Sequence, residues 1–277
     1  MKRKLLALDL DGTLLDRAGR LPDDNRQAVV RARAAGLDVV LVTGRSWRGT
    51  QEYYAALELT GPAICYLGAL VVADGSGRIL THRPLVPEAW ALLRALALAE
   101  GLSVTACLGA DQAVAAGELP AQDLIAFDTA YANCVAPDFT DWAGWNTYTE
   151  LAADLAPCQV APTMAAIYGD RAVRRVLELY PDGLPASQYD LTDRIAGETV
   201  LHVWHGSVDK GRALSDFCQA RGYRPEDVVS VGDAYMDLGM IAFAGLGVAV
   251  PDGDPRLQAA ADLVATPPDV VDRILKE

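Results

Sequence analysis

The chain lacks most of what would tie it to a membrane, a zinc ion or a nucleic acid. No apolar run reaches the ~20 residues a bilayer-spanning helix needs. The apolar stretch after Met1-Lys2-Arg3-Lys4 is cut by Asp9 after four residues, too short for a secretory signal. There is no Cys-x-x-Cys pair. The five cysteines (Cys65, Cys107, Cys134, Cys158 and Cys218) lie far apart, and the three histidines (His82, His202 and His205) form no zinc spacing with them. Buried, reduced thiols in a cytoplasmic protein are therefore expected. Positive charge is short as well: 24 Lys and Arg stand against 37 Asp and Glu, a net charge of −13. Phosphate backbones and anionic lipid recruit Lys/Arg surfaces, so neither is an expected partner.

What is present is a globular composition. Of the 277 residues 51% are hydrophobic and 22% charged, enough to bury a core without disulfide or zinc staples. Strand and helix signals alternate at both ends. Residues 4–10 read as a short buried strand ending in acid, Pro22-Asp23-Asp24 opens an amphipathic helix closing at Gly36, and 37–42 is a β-branched strand running into Thr43-Gly44-Arg45. A helix over about 46–58, a strand at 62–67 and a hairpin at 69–82 with Asp74–Gly77 as its turn follow. Near the C-terminus the pattern predicts a helix from Asp209, a strand at 228–231, a helix at 234–244, a strand at 246–250 and a helix at 268–276. Such alternation implies an α/β fold, a doubly wound parallel sheet with helices on both faces.

The middle differs. Prolines punctuate it, and residues 84–205 hold 16 Asp and Glu against 5 Arg and no Lys. The shift predicts an inserted domain over 84–206, with 1–83 and 207–277 forming the core.

Ligands of open parallel sheets bind beyond the carboxyl ends of the strands. Four polar groups fall at such ends or at helix starts: Asp9-Leu10-Asp11-Gly12-Thr13, Thr43-Gly44-Arg45, Lys210, and Gly232-Asp233 with Asp237 four residues on. An Asp at a strand end is often only a helix N-cap, and a lone Lys in a first turn is usually solvated. All four in this order are hard to explain as capping. Four carboxylates converging would repel one another and raise one another's pKa, so a cation is required, and Lys210 alone cannot balance them.

These segments, LLALDLDGTLLD, VLVTGR, VDKGRAL and VVSVGDAYMD, resemble the four motifs of the haloacid dehalogenase superfamily of phosphatases, in particular its Cof-type branch with a large α/β cap. The resemblance implies a Rossmann-like core with an inserted cap that selects the substrate. It implies Asp9 as the nucleophile that becomes an aspartyl-phosphate, and Asp11 as the acid that protonates the leaving oxygen and then takes a proton from water. Mg²⁺ would be held by the Asp9 carboxylate, the Asp11 carbonyl and the Asp233 carboxylate. Thr43 and the Gly44 amide would bind the phosphoryl oxygens and Lys210 would offset their charge. Asp237 would hold a metal-bound water or Lys210.

Two positions depart from that branch: Met236 stands where an asparagine normally donates to the phosphoryl group, and Leu67-Gly68 where Asn-Gly is common. A lost hydrogen bond to a charged group costs roughly 1.5–3 kcal/mol, about 10- to 100-fold in rate. Arg45 and Arg48 could face the cap, with salt-bridged surface arginines as the alternative; Arg45, directly after the phosphate turn, is the candidate substrate contact. Trp142 and Trp145 read as core residues of the insert or as a stacking surface, His205 as a solvated or hinge-side residue, and Arg171, Arg174 and Arg175 as a solvated helix face. The expected activity is Mg²⁺-dependent hydrolysis of a small phosphorylated metabolite, a sugar or polyol monophosphate given the acidic insert, by a monomer or homodimer. A phosphohexomutase, or a phosphometabolite-binding protein of weakened or no catalysis, is the alternative.

Overall fold

The structure, a computed structural model, describes residues 4–100, 103–107, 161–195 and 198–276. Trp142 and Trp145 lie outside them. Contacts divide the chain into two compact units, Met1–Thr81 with Val208–Glu277, and His82–Ser207.

In the first unit β1 (Leu5–Leu8), α1 (Asp23–Ala34), β2 (Asp38–Val42), α2 (Gln51–Ala56), β3 (Ala63–Cys65), β4 (Leu70–Val72) and β5 (Ile79–His82) come first. The second unit contributes α3 (Pro87–Glu100), β6 (Ser103–Cys107), β7 (Met164–Tyr168), α4 (Asp170–Leu179), β8 (Ser187–Ile195) and β9 (Glu198–His205). The chain then returns through α5 (Lys210–Arg221), β10 (Val228–Gly232), α6 (Leu238–Phe243), β11 (Leu246–Ala249), α7 (Pro255–Ala260), β12 (Leu263–Val264) and α8 (Pro267–Ile274).

The core sheet has the order β12-β11-β10-β1-β2-β3-β4-β5. Its strands from β12 to β3 are parallel, and β4 turns back antiparallel on β3. This is the expected α/β class. Leu5, Ala7, Val40 and Val42 pack against Ala213, Leu214 and Phe217 of α5 and Met240 of α6. The alternate residues Leu6, Leu8 and Leu41 are buried too, so the sheet is covered on both faces, which is why its strands read as unbroken apolar runs. Each fully buried leucine contributes about 1.5–3 kcal/mol relative to exposure.

Crossovers step from β1 to β2 and β3 in one direction, and from β10 to β11 and β12 in the other. The order reverses between β1 and β10, the crevice where a doubly wound sheet receives its ligand. Leu8 lies opposite Val231, so Asp9 and Asp233 leave adjacent strands side by side.

Several elements are shorter than expected because turn bonds, from backbone carbonyls or from side chains, compete with the strand or helix. β1 stops at Leu8: the Leu10 carbonyl accepts the Thr13, Leu14 and Leu15 amides, which curls the chain after Asp9. Before α2, Ser46 Oγ accepts the Gly49 amide at 3.0 Å and the Thr50 hydroxyl donates to the Ser46 carbonyl at 2.7 Å, so residues 46–50 turn instead of extending the helix. Residues 235–237 form a tight 3₁₀ turn before α6. The sequence reading missed α7 and β12. Asp254 at the N-cap and Pro255 at the first helical position were a legible start for α7; a two-residue strand leaves no periodicity to detect.

The second unit carries an antiparallel sheet of order β6-β7-β9-β8. Trp90 and Leu93 of α3 and Val173 and Val176 of α4 pack on Ala165, Ile167, Leu201 and Val203. Arg171 and Arg174 are exposed, as a solvated helix face requires. His205 Nδ1 accepts the Ser207 amide at 3.0 Å. Among the described residues Cys65 and Cys218 are free and buried, and burial pushes both thiols up to about 12, which makes them inert. No helix among the described residues is long and apolar enough to cross a membrane.

Candidate active site

Asp9, only 4% exposed, sits where β1 ends, its amide bonded to the Val231 carbonyl at 3.0 Å. Across the crevice, Lys210 begins α5 behind its N-cap Asp209, whose carboxylate accepts the Arg212 amide at 2.9 Å. The Lys210 ammonium donates to Asp9 Oδ1 at 2.7 Å and to Asp237 Oδ1 at 2.6 Å. Asp237 is fully buried, and its second oxygen accepts the Asp233 and Ala234 amides at 3.0 Å each. It fastens the loop after β10 to the lysine. Asp233 is left with its carboxylate toward the turn after β1, where the Thr13 hydroxyl reaches it at 3.5 Å. Gly12 makes that approach possible: its φ is +77°, and a Cβ there would lie 2.2 Å from Asp233 Oδ2.

Asp9, Asp233 and Asp237 each offer a carboxylate oxygen, and these oxygens lie within 4.8 Å of one another. The donors are hard oxygens with no thiolate or imidazole among them, a set that fits Mg²⁺ better than a transition metal. Asp237 has committed three of its about four acceptor sites to Lys210 and two amides, so Asp9 and Asp233 are the better-placed donors.

A family model described as haloacid dehalogenase-like hydrolase matches residues 6–121 and 186–276. The chain belongs to this family. The hydrolase is 30% identical to the pyridoxal phosphate phosphatase YbhA of Escherichia coli, over 95% of this chain and 93% of that protein. It is 27% identical to the 5-amino-6-(5-phospho-D-ribitylamino)uracil phosphatase YitU of Bacillus subtilis, over 100% and 97%. A crystal structure of a haloacid dehalogenase-like hydrolase from Bacteroides thetaiotaomicron superposes with a TM-score of 0.75 at 24% identity, covering 99% of each chain. The protein is an enzyme, a phosphoric monoester hydrolase of this family.

The electrostatics of the hydrolase follow from burial. Desolvation raises the Asp9 carboxyl well above its usual value. Lys210 opposes the rise, while Asp237, Asp233 and Asp11 add to it. Desolvation, then Asp237, also pushes Asp233 up, to about 6. Lys210 is raised: burial disfavours its charge, but Asp237 and Asp9 more than compensate. The site thus holds more negative charge than one ammonium neutralises.

Arg45 and Asp11 meet each other. Asp11 does not continue β1; it stands in the curl after Leu10, its side chain 48% exposed, and the 5%-exposed Arg45 grips it with two bonds of 2.6 and 2.8 Å. The guanidinium is braced by the Gly49 carbonyl at 3.3 Å and lies over the Tyr53 ring at 4.9 Å. The Tyr53 hydroxyl donates to the Gly19 carbonyl at 2.8 Å. Arg45 makes the salt bridge of the alternative expectation, but as a buried side chain and not on the surface. Tyr53 was missed by the sequence reading, since nothing in a helix beginning Gln-Glu-Tyr-Tyr distinguishes a brace from a core residue. Arg48 is exposed. Thr43 is fully buried, and its Oγ1 accepts the Arg45 amide at 3.1 Å, which leaves the hydroxyl proton to donate elsewhere. Met236 is half-buried and brings no donor.

Proposed function

We propose that this hydrolase is Mg²⁺-dependent and releases phosphate from a small phosphorylated metabolite through an aspartyl-phosphate on Asp9. The observation that carries the reading is the meeting of Asp9, Asp233 and the Lys210 ammonium at the reversal point of the sheet. In this reading Lys210 occupies one oxygen of Asp9 and leaves the other to attack phosphorus. The Asp9 O–P bond forms as the ester P–O bond breaks, and Asp11, once it has let go of Arg45 and taken up a proton, delivers that proton to the departing oxygen. Asp11 then takes a proton from water, whose oxygen attacks phosphorus and frees Asp9. Thr43 and the Gly44 amide donate to the phosphoryl oxygens, and Lys210 holds the nucleophile's rotamer. Asp9, Asp233 and the Asp11 carbonyl would hold Mg²⁺, which supplies positive charge against the phosphoryl oxygens when bound.

The inserted unit is taken as the cap that selects the leaving group. Its acid excess, 16 against 5 over residues 84–205, disfavours substrates with several phosphates and favours a neutral or cationic leaving group such as a sugar or polyol. The relatives named for small organic monophosphates support the same class. Met236 favours one second reading, a binding protein with weakened turnover.

A phosphate-release screen over sugar, polyol, pyridoxal and nucleoside phosphates separates these readings, run with Mg²⁺ and with chelator, on wild type and Asp9→Asn. Turnover of monophosphates that needs Mg²⁺ and disappears in Asp9→Asn is expected. Full activity in Asp9→Asn ends the nucleophile assignment, and a preference for nucleoside triphosphates ends the substrate assignment.

A further inference from the structure

We propose that Leu67 is a positioning residue for the phosphate-binding turn, setting the plane of the peptide that carries the Gly44 amide. The proposal rests on the reading of Gly44 as a phosphoryl donor. After β3 the chain runs through three consecutive positive-φ residues: Tyr66 at +48°, Leu67 at +59° and Gly68 at +105°. Glycine adopts this region freely; tyrosine and leucine do so rarely, because Cβ crowds the following carbonyl. Such backbone persists where its surroundings over-determine it, and it gathers at sites where geometry matters.

The surroundings here are the phosphate turn on one side and the lysine helix on the other. The Leu67 amide donates to the Thr43 carbonyl at 3.0 Å, and the Tyr66 amide to the Arg45 carbonyl at 2.9 Å. These carbonyls flank Gly44. In a trans peptide the C=O and the N–H point in opposite directions. Tying down the Thr43 carbonyl therefore turns the Gly44 N–H away from Leu67, and the peptide cannot flip without breaking that bond. Gly44 has no side chain to limit such a flip. The Leu67 side chain closes the space beneath it: a Cβ on Gly44 would lie 3.2 Å from Leu67 Cδ2. On the other side, a Cβ on Gly68 would fall 2.6 Å from Ala213 Cβ and 3.0 Å from the Asp209 carbonyl, next to Lys210. Three residues thus bracket the turn and the start of α5 together.

The test compares Leu67→Val, Leu67→Asn and Leu67→Ala with wild type, using p-nitrophenyl phosphate turnover and competitive inhibition by orthovanadate. Valine resists left-handed backbone, and asparagine accepts it. Leu67→Val is expected to lower kcat/KM by about 10-fold or more, the scale of one lost bond to a charged group, and to weaken orthovanadate by a similar factor. Leu67→Asn should keep both within about threefold, and should exceed Leu67→Ala, although both lack the leucine side chain. That last comparison stands even if Leu67→Val fails to fold. Unchanged orthovanadate affinity in Leu67→Val, or Leu67→Ala equal to or better than Leu67→Asn, overturns the proposal. A wild type that turns over phosphomonoesters but binds orthovanadate just as well after Gly44→Pro, which removes the amide proton, overturns instead the reading of Gly44 beneath it.

Discussion

Replacing Lys210 by methionine should destabilise this hydrolase more at pH 8 than at pH 5. The lysine is 5% exposed and bonds two carboxylates, themselves 5% and 0% exposed, at 2.7 and 2.6 Å. Methionine fills a similar volume but leaves both acids without their cation. Removing one partner of a buried pair costs about 3–5 kcal/mol, because the remaining charge is stranded away from water. The pH dependence follows from the direction of the shift. Asp9 already titrates above its usual value through desolvation, with Lys210 the charge that restrains it. Without the lysine the rise is larger, so the folded state binds more protons than the unfolded chain and stability falls as pH increases. Its contribution is complete below the ordinary Asp value and is lost as pH climbs through the raised one; Asp233, raised to about 6 with Lys210 beside it, moves further up without the lysine and adds to the loss. Each proton involved is worth about 1.4 kcal/mol per pH unit inside that window.

Calorimetric or urea denaturation of wild type and Lys210→Met at pH 5 and pH 8, with and without Mg²⁺, measures this directly. A cation that occupies the acids should return part of the loss, about 2.7 kcal/mol at a hundredfold excess over Kd. If the variant stays within about 1 kcal/mol of wild type at pH 8, or loses more at pH 5 than at pH 8, the stranded-charge argument is wrong.

Two further outcomes follow from the site geometry. Gly12→Ala places a methyl 2.2 Å from Asp233 Oδ2 on backbone of φ +77°; Mg²⁺ affinity by titration calorimetry should fall at least about tenfold as Asp233 is displaced, and an unchanged affinity would remove Asp233 from the metal site. Arg45→Lys keeps the charge but cannot make both bonds to Asp11; kcat should drop by about tenfold with KM little changed, whereas a rise in KM at constant kcat would return Arg45 to direct contact with substrate.

The chemistry of the site was far more legible than its support. Asp9, Asp233 and Lys210 could be singled out because they fall together at strand ends and a helix start, in an order that capping does not explain and that resembles the superfamily motifs, and because parallel sheets bind ligands at those ends. Strand–helix alternation likewise exposed the α/β class. Element lengths were less readable. The curl after Asp9 and the turn at Ser46–Thr50 arise from side-chain and carbonyl bonds that compete with helix and strand, and no periodicity records them. The pairing of Asp11 with Arg45 was hidden for another reason: 34 residues and a crossover separate them, and only the fold reveals that the exposed acid and the buried base share a corner.

The least legible feature is the turn at Tyr66–Gly68, and its invisibility has a physical cause. Local rules flag left-handed backbone through the residues that tolerate it, so Gly68 could be anticipated, but a tyrosine and a leucine read as the continuation of a buried strand. They are held otherwise by partners remote in sequence, the Thr43 and Arg45 carbonyls, while Gly68 beside them packs close to Ala213 and Asp209. Left-handed backbone in a non-glycine residue costs of order 1–3 kcal/mol, and hydrogen bonds contribute about 1 kcal/mol each, so the arrangement gains little stability. The same bonds leave the Gly44 amide with one orientation. A conflict between local preference and observed backbone, placed beside converging acids and supported from two directions, therefore locates the part of this hydrolase where geometry outweighs stability.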